Sequence, residues 1–325
     1  MNCRTTRLTM LLAAMLLLAG SNLALAQDDY PNRTIKIVVP LPPGGGADLV
    51  PRMLAEKLSA KWGQPVIIEN RPGAGGILGT DVVSKSAPDG YTLVAPPQAP
   101  LVISQHFHPN LAYDPATLTP VTVMSTQPYV LVANPKAPFT TLAEMVADAK
   151  ANPGKISFAS PGTGSAPHLT MEWLKIVAGI QVTHVPYRGS ALALTDVIAG
   201  HVHIMFDSLG NPLNSIKDGK VRLLAVSSDT RIPEAPEAPT VAEAYPGFKS
   251  MSWFATVGPP KMPAAIAAKL QSAMAEALRL PDVTKRIQEL SATPVGSTPA
   301  ETAALFQEES GRWGKIIRAA GIKAE

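Results

Sequence analysis

Residues 34–58, TIKIVVPLPPGGGADLVPRMLAEKL, decide the fold. Thr34–Pro40 is a β-branched run ended by a Pro/Gly loop, which predicts a buried strand. Asp48 then caps a helix through Lys61, with Leu49, Met53, Leu54 and Leu58 on one stripe. Pro51 falls in its first turn, where a missing N–H does little harm. The same strand–glycine loop–helix junction recurs at residues 156–168, ISFASPGTGSAPH, with Ser165 as the capping residue. Each junction places glycines where a strand ends and a helix begins. There the backbone can approach a ligand closely, and the helix N-terminus offers N–H groups and about half a positive charge.

Outward from these junctions the pattern repeats. Strands are expected at Val66–Asn70, Tyr91–Ala95, Ile156–Ala159, Val182–Pro186, Val202–Phe206 and Val221–Ser227. Helices are expected between them at Gly79–Ser86, Thr141–Ala151, Pro167–Ala178, Ser190–Ala199 and Pro212–Asp218. This alternation predicts βαβ units and a largely parallel sheet. Two extended segments, 119–132 and 248–258, bracket the second α/β block, and the last third is helical (Pro263–Leu280, Asp282–Leu290, Pro299–Ala320). A chain that crosses twice between two lobes has this layout. The expected division is residues 27–124 and 253–325 for lobe 1 and 125–252 for lobe 2, with a cleft between them. In an α/β lobe, ligands bind beyond the carboxyl ends of the strands, where both glycine loops would sit. Facing each other, the loops would form two anion-binding jaws suited to a small carboxylate.

Residues 1–26 stand apart. Arg4 and Arg7 precede an apolar run, Leu8–Leu18, and Ala24-Leu25-Ala26 has the small-x-small cleavage pattern. The run is short of the roughly 20 residues needed to span a bilayer. An exported, periplasmic product starting at Gln27 is therefore expected. The lone cysteine, Cys3, would leave with the leader. A thiol-free mature chain excludes a cysteine nucleophile, an iron–sulfur cluster and a cysteine-ligated zinc. Of 28 Lys and Arg, Arg4 and Arg7 are lost, which leaves 26 basic against 25 acidic residues. With charges interspersed, neither a nucleic-acid footprint nor a polybasic membrane patch is expected.

The opening YPNRTIKIVVPLPPGGGADLVPRMLAEKL and the following GQPVIIENRPGAGGILGTDVVSKSAPDGYTL resemble the Bug family of periplasmic solute receptors. These are the extracytoplasmic binding proteins of tripartite tricarboxylate transporters. ISFASPGTGSAPHLTMEWLK, VTHVPYRGSALALTDVIAGHVHIMFDS and SWFATVGPP continue the resemblance in the same order, so it covers essentially the whole mature chain. It implies a two-lobe, type II periplasmic-binding-protein fold closing on a small organic anion: a di- or tricarboxylate, an amino acid or an aromatic acid. Partners implied are that carboxylate and the membrane subunits of the transporter. A monomer is expected, with no cofactor, no catalytic residue and no metal.

Carried onto this chain, the first jaw is Leu41, Pro43, Gly44, Gly45, Ala47 and Asp48, and the second is Gly162, Thr163, Gly164, Ser165 and His168. Tyr187 and Asp207 are cleft candidates. Two departures stand out. Leu41 replaces an aromatic residue found in many members, and the loop at 95–100 is unusually rich in proline, with Gln98 expected to reach the ligand.

Other chemistries are weaker. His106/His108 and His201/His203 have spacing that could hold part of a metal site, but no acidic cluster completes either pair. Ser165 and His168 invite a nucleophilic reading, yet there is no Gly-x-Ser-x-Gly elbow. The alternatives to a transport receptor are a ligand-presenting partner of a membrane sensor kinase and an exported enzyme acting on a similar anion. A β-branched residue at Gly164 is expected to abolish binding while leaving the fold intact.

Overall fold

The computed structural model describes residues 30–44 and 46–322. The expected leader (1–26), the start at Gln27 and the jaw residue Gly45 lie outside the described residues.

The first block runs β1 (Ile35–Val39), α1 (Gly46–Trp62), β2 (Val66–Asn70), α2 (Ile77–Ser84) and β3 (Thr92–Val94). β1 sits between β2 and β3, parallel to both. Its β-branched residues are buried almost throughout, as a central strand covered on both faces requires. α1 begins two residues earlier than its capping signal, so Asp48 lies inside the first turn. The segment after β3, expected as a loop, instead forms a buried π-helical turn (Ala99–Ile103) followed by a 3₁₀ turn (Ser104–His106).

β4 (Thr119–Ala133) then carries the chain into the second block: α3 (Leu142–Ala151), β5 (Ser157–Ser160), α4 (Ala166–Ala178), β6 (Thr183–Pro186), α5 (Ser190–Ala199), β7 (Ile204–Ser208), α6 (Leu213–Lys217) and β8 (Arg222–Val226). α7 (Val241–Ala244) precedes the return strand β9 (Met251–Gly258). The chain ends with α8 (Ala264–Leu278), α9 (Pro281–Glu289), β10 (Thr293–Pro294) and α10 (Pro299–Ala320). A capping box at Thr298 and Glu301 starts α10, and left-handed Gly321 stops it.

The strand order is β2-β1-β3-β9-β4-β7-β5-β6, with β8 and β10 also paired to β4. The expectation of a largely parallel sheet holds only inside each block. β4 is antiparallel to β9, β7, β8 and β10, and β9 is antiparallel to β3. Two strands that cross between blocks in opposite directions must be antiparallel to each other. The first part of β4, to Pro128, pairs with β9; from Tyr129 onward it pairs with β7 and β8.

Strand polarity now fixes the site. β3 and β4 are each antiparallel to β9, so β1 and β3 run in the same sense as β4. β5 and β6 share the direction of β7, which opposes β4. β4 leaves the first block past the carboxyl ends of its parallel strands and enters the second beside Ser208, the carboxyl end of β7. The carboxyl ends of both sets of parallel strands therefore point toward each other.

One apolar cluster gathers residues from both blocks: Val38, Val94 and Leu101 with Phe158, Leu169 and Leu174, and with Trp313, Ile316 and Ile317 of α10. α10 packs on α4, on β4 and on the turn at 99–103. The fold is thus a two-lobe α/β structure whose last helix touches both halves.

Candidate functional site

The two glycine loops are built alike. In the first, the Gly44 N–H donates to Asp48 Oδ2 at 3.0 Å. In the second, the Gly164 N–H donates to His168 Nδ1, also at 3.0 Å. Each loop glycine is left-handed, and each is tied to a buried side chain four residues along. A side chain in the first turn of a helix points back toward the N-terminus, which is why this spacing closes.

Asp48 is almost fully enclosed, and its other bonds come from Asn70 Nδ2 at 2.8 Å and Arg52 Nε at 2.8 Å. Asn70 also donates to the Leu41 carbonyl at 3.0 Å, tying the end of β2 to the loop after β1. Burial works against the charge on Asp48, but the bonds from Arg52, Asn70 and Gly44 prevail and hold its carboxyl below the usual aspartate range. Leu41 is half-buried against the first block's core, Pro43 and Gly44 are exposed, and Ala47 is buried in the first turn.

Around the second loop, Ser165 caps α4. Its Oγ accepts from the His168 N–H at 3.4 Å and donates to the Gly162 carbonyl at 2.7 Å. The Gly162 N–H in turn meets Ser160 Oγ at 3.2 Å. Thr163 also makes an interaction within the fold. His168 stacks on His184 with ring centroids 3.9 Å apart, and its Nε2 faces Glu172 at 3.7 Å. Because Nδ1 accepts from Gly164, the imidazole is not aimed at the Ser165 hydroxyl, and the pair lacks the geometry of a nucleophile and its base. Burial, reinforced by His168, lowers the pKa of His184 to about 4.

The Phe107 ring covers Gly164 closely. A Cβ on that glycine would fall 2.2 Å from Phe107 Cζ, on a backbone already at φ +77°. The expectation that Gly164 tolerates a β-branched residue without harm to the fold is therefore corrected: such a residue would displace Phe107 and strain the backbone. Nothing in the sequence pairs residues 107 and 164, which meet only through the turn at 104–106.

Between the loops lies the crossover. Gln98, just before the turn at 99–103, donates from Nε2 to Tyr129 Oη at 2.6 Å. Tyr129 stands where β4 changes partners, and the Ser252 hydroxyl of β9 also bonds it. Complete burial raises the Tyr129 pKa, with nearby Asp207 adding to the effect. Ser227, just after β8, stitches both crossings. Its Oγ accepts the Tyr129 N–H at 2.9 Å and contacts the Tyr129 and Ser250 carbonyls. Tyr129, Ser227 and Ser252 are absent from the sequence-derived site because only strand pairing brings them together.

Asp207, at the carboxyl end of β7, is buried and accepts from Ser190 Oγ at 3.0 Å, Ser208 N at 2.8 Å and Asn211 Nδ2 at 2.5 Å. Burial pushes its carboxyl up to about 6 against the pull of those donors. The Tyr187 hydroxyl donates to Asp196 Oδ2 of α5 at 2.6 Å. The histidine pairs find other partners. His106 Nε2 lies 2.8 Å from Ser310 Oγ, His203 Nδ1 lies 2.8 Å from Ser157 Oγ, and His201 lies 3.4 Å from Asp196. Among the described residues no group of three or more His, Cys, Asp or Glu is placed to hold a metal, and no helix is long and apolar enough to cross a membrane.

Comparison with known proteins bears on this geometry. The model of the tripartite tricarboxylate transporter family receptor matches residues 50–322. Protein BugT of Bordetella pertussis is 37% identical over 321 residues, covering 98% of each chain. The structure of R. palustris Rpa4515 with adipate superposes with a TM-score of 0.80 at 33% identity, covering 91% of this chain and 99% of that one. MatC from Rhodopseudomonas palustris, with bound malate, gives a TM-score of 0.76 at 33% identity, covering 89% and 100%.

Proposed function

The chain belongs to the tripartite tricarboxylate transporter receptor family, whose members are solute-binding receptors and not enzymes, and we propose that it carries a small carboxylate between its two lobes. The observation that carries the proposal is strand polarity. The carboxyl ends of the two parallel strand sets face each other, and each bears a glycine loop braced from the next helix. The carboxylates seen in two similar structures, adipate and malate, support an anion of that kind.

In this reading residues 27–124 and 253–325 form lobe 1 and residues 125–252 form lobe 2. Leu41, Pro43, Gly44, Gly45, Ala47 and Asp48 hold one end of the ligand, and Gly162, Thr163, Gly164, Ser165 and His168 hold the other. Asp48 and His168 also act through the loops, each accepting the N–H of its own loop glycine. The partially positive N-terminus of α4 favours the anion, whereas at α1 the Asp48 carboxylate offsets the dipole and Arg52 beside it carries the positive charge. A ligand closes the lobes only by as much as it prefers the closed form, so each lobe must supply part of the contact. The receptor is a periplasmic monomer, freed of its leader after Ala26, that delivers the carboxylate to the membrane subunits of a tripartite transporter.

Thermal unfolding in the presence of di- and tricarboxylates, acidic amino acids and aromatic acids tests this directly. A true ligand at a hundredfold excess over Kd stabilises by about 2.7 kcal/mol, and the melting temperature rises accordingly. A panel in which no carboxylate raises the melting temperature contradicts the reading.

A further inference from the structure

We propose that Gln98 selects carboxylates bearing a hydrogen-bond donor, a hydroxyl or an ammonium, on their carbon chain. The proposal rests on the receptor reading above and narrows its ligand class. Gln98 is 3% exposed, and its side-chain amide is anchored at one end only. Nε2 donates to Tyr129 Oη at 2.6 Å, while Oε1 is buried with no hydrogen-bond partner among the described residues.

The anchor fixes which end of the amide is left over. Nε2 donates to Tyr129 Oη, which the Ser252 hydroxyl also bonds, so the oxygen is the end left over. The backbone around Gln98 is equally constrained. Its carbonyl receives the N–H groups of Leu101 and Val102, and the preceding Pro97 bridges to Phe254 of β9. With the backbone fixed, burial and the Tyr129 bond hold the side chain in place.

Its position is the relevant one. Gln98 follows β3, which adjoins β1, so it lies beside the first glycine loop at the same carboxyl edge. Tyr129, its partner, marks the point where β4 passes into the second block. A buried acceptor left unmatched is destabilising, and such groups concentrate where a ligand completes them. An amide oxygen accepts and cannot donate. An unsubstituted dicarboxylate offers only acceptors and methylenes, whereas a 2-hydroxy or 2-amino acid supplies the missing donor.

Isothermal titration of the full mature chain with matched pairs decides the matter. The pairs are succinate against 2-hydroxysuccinate and 2-aminosuccinate, and glutarate against 2-hydroxyglutarate. The donor-bearing member of a binding pair should be favoured about tenfold, in line with the worth of one well-placed hydrogen bond. Gln98→Leu should erase the preference, lowering affinity for the substituted acid and leaving the plain one within about twofold. Gln98→Met, which keeps the length of the side chain without the amide oxygen, should erase the preference in the same way; it serves as the control if the leucine variant folds poorly. Equal affinity within every pair, or a preference that survives Gln98→Leu, overturns this inference alone. Failure of every acid to bind the native chain removes the receptor reading and this inference with it.

Discussion

Asp207 shows how a single carboxyl can report on the junction of the blocks. Its folded pKa of about 6 lies above the ordinary aspartate value because burial outweighs three donated hydrogen bonds. The native state therefore holds its proton more tightly than the unfolded chain. That contribution is fully present below about pH 4 and is lost as the pH rises through about 6. The shift corresponds to roughly 3 kcal/mol at most. Urea unfolding between pH 4 and pH 7 should show a declining component that vanishes in Asp207→Asn. A pH dependence unchanged in that variant would place the ionisation elsewhere. The sequence marked Asp207 only as a cleft candidate, since neither Ser190 nor Asn211 is recognisable as its partner before the strand end and the flanking turns are folded. Asp48 and His168 were legible as helix-start residues, but their shared task of gripping a glycine N–H emerges only from the side-chain geometry.

Most elements could be read directly from the chain. β-Branched runs bounded by glycine and proline gave the strands, and Thr141, Ser165 and Thr298 mark helix starts where their hydroxyls accept from the first turn. Two features could not be read this way. The turn at 99–106 has no apolar period to announce it, and its burial comes from α10 lying over it. The packing of α10 on α4 joins segments distant in sequence, where periodicity gives the apolar face but not its partner. Trp313 of α10 lies in the apolar cluster shared by both blocks: its ring is wholly enclosed, and Nε1 donates to Glu309 Oε2 at 2.9 Å. Trp313→Ala should destabilise the chain by about 3–5 kcal/mol, as for other large-to-small core changes. Because α10 touches both halves, denaturant unfolding of the native chain should remain a single transition. A loss under 1 kcal/mol would mean that this helix is not a shared support.

At the scale of the whole molecule, function follows from direction. A chain that crosses once on β4 and returns on β9 turns two unremarkable parallel sheets to face each other, carboxyl ends inward. Each inward edge carries a loop whose glycine is held by its own helix, so in the proposed reading both ends of the ligand site are set before any ligand arrives. Such preorganisation leaves lobe closure as the main motion that binding must drive. The family resemblance was visible in ENRPGAGG, PDGYTL and SPGTG, but the opposition of the loops is a property of strand pairing and could only be expected, not read. Backbone amide shifts followed by NMR during titration with a dicarboxylate that raises the melting temperature measure that opposition most directly. Amides at residues 44–48 and at 162–166 should shift together along one saturation curve with a single Kd. Perturbations confined to one loop, or centred away from both, would contradict a ligand held between them.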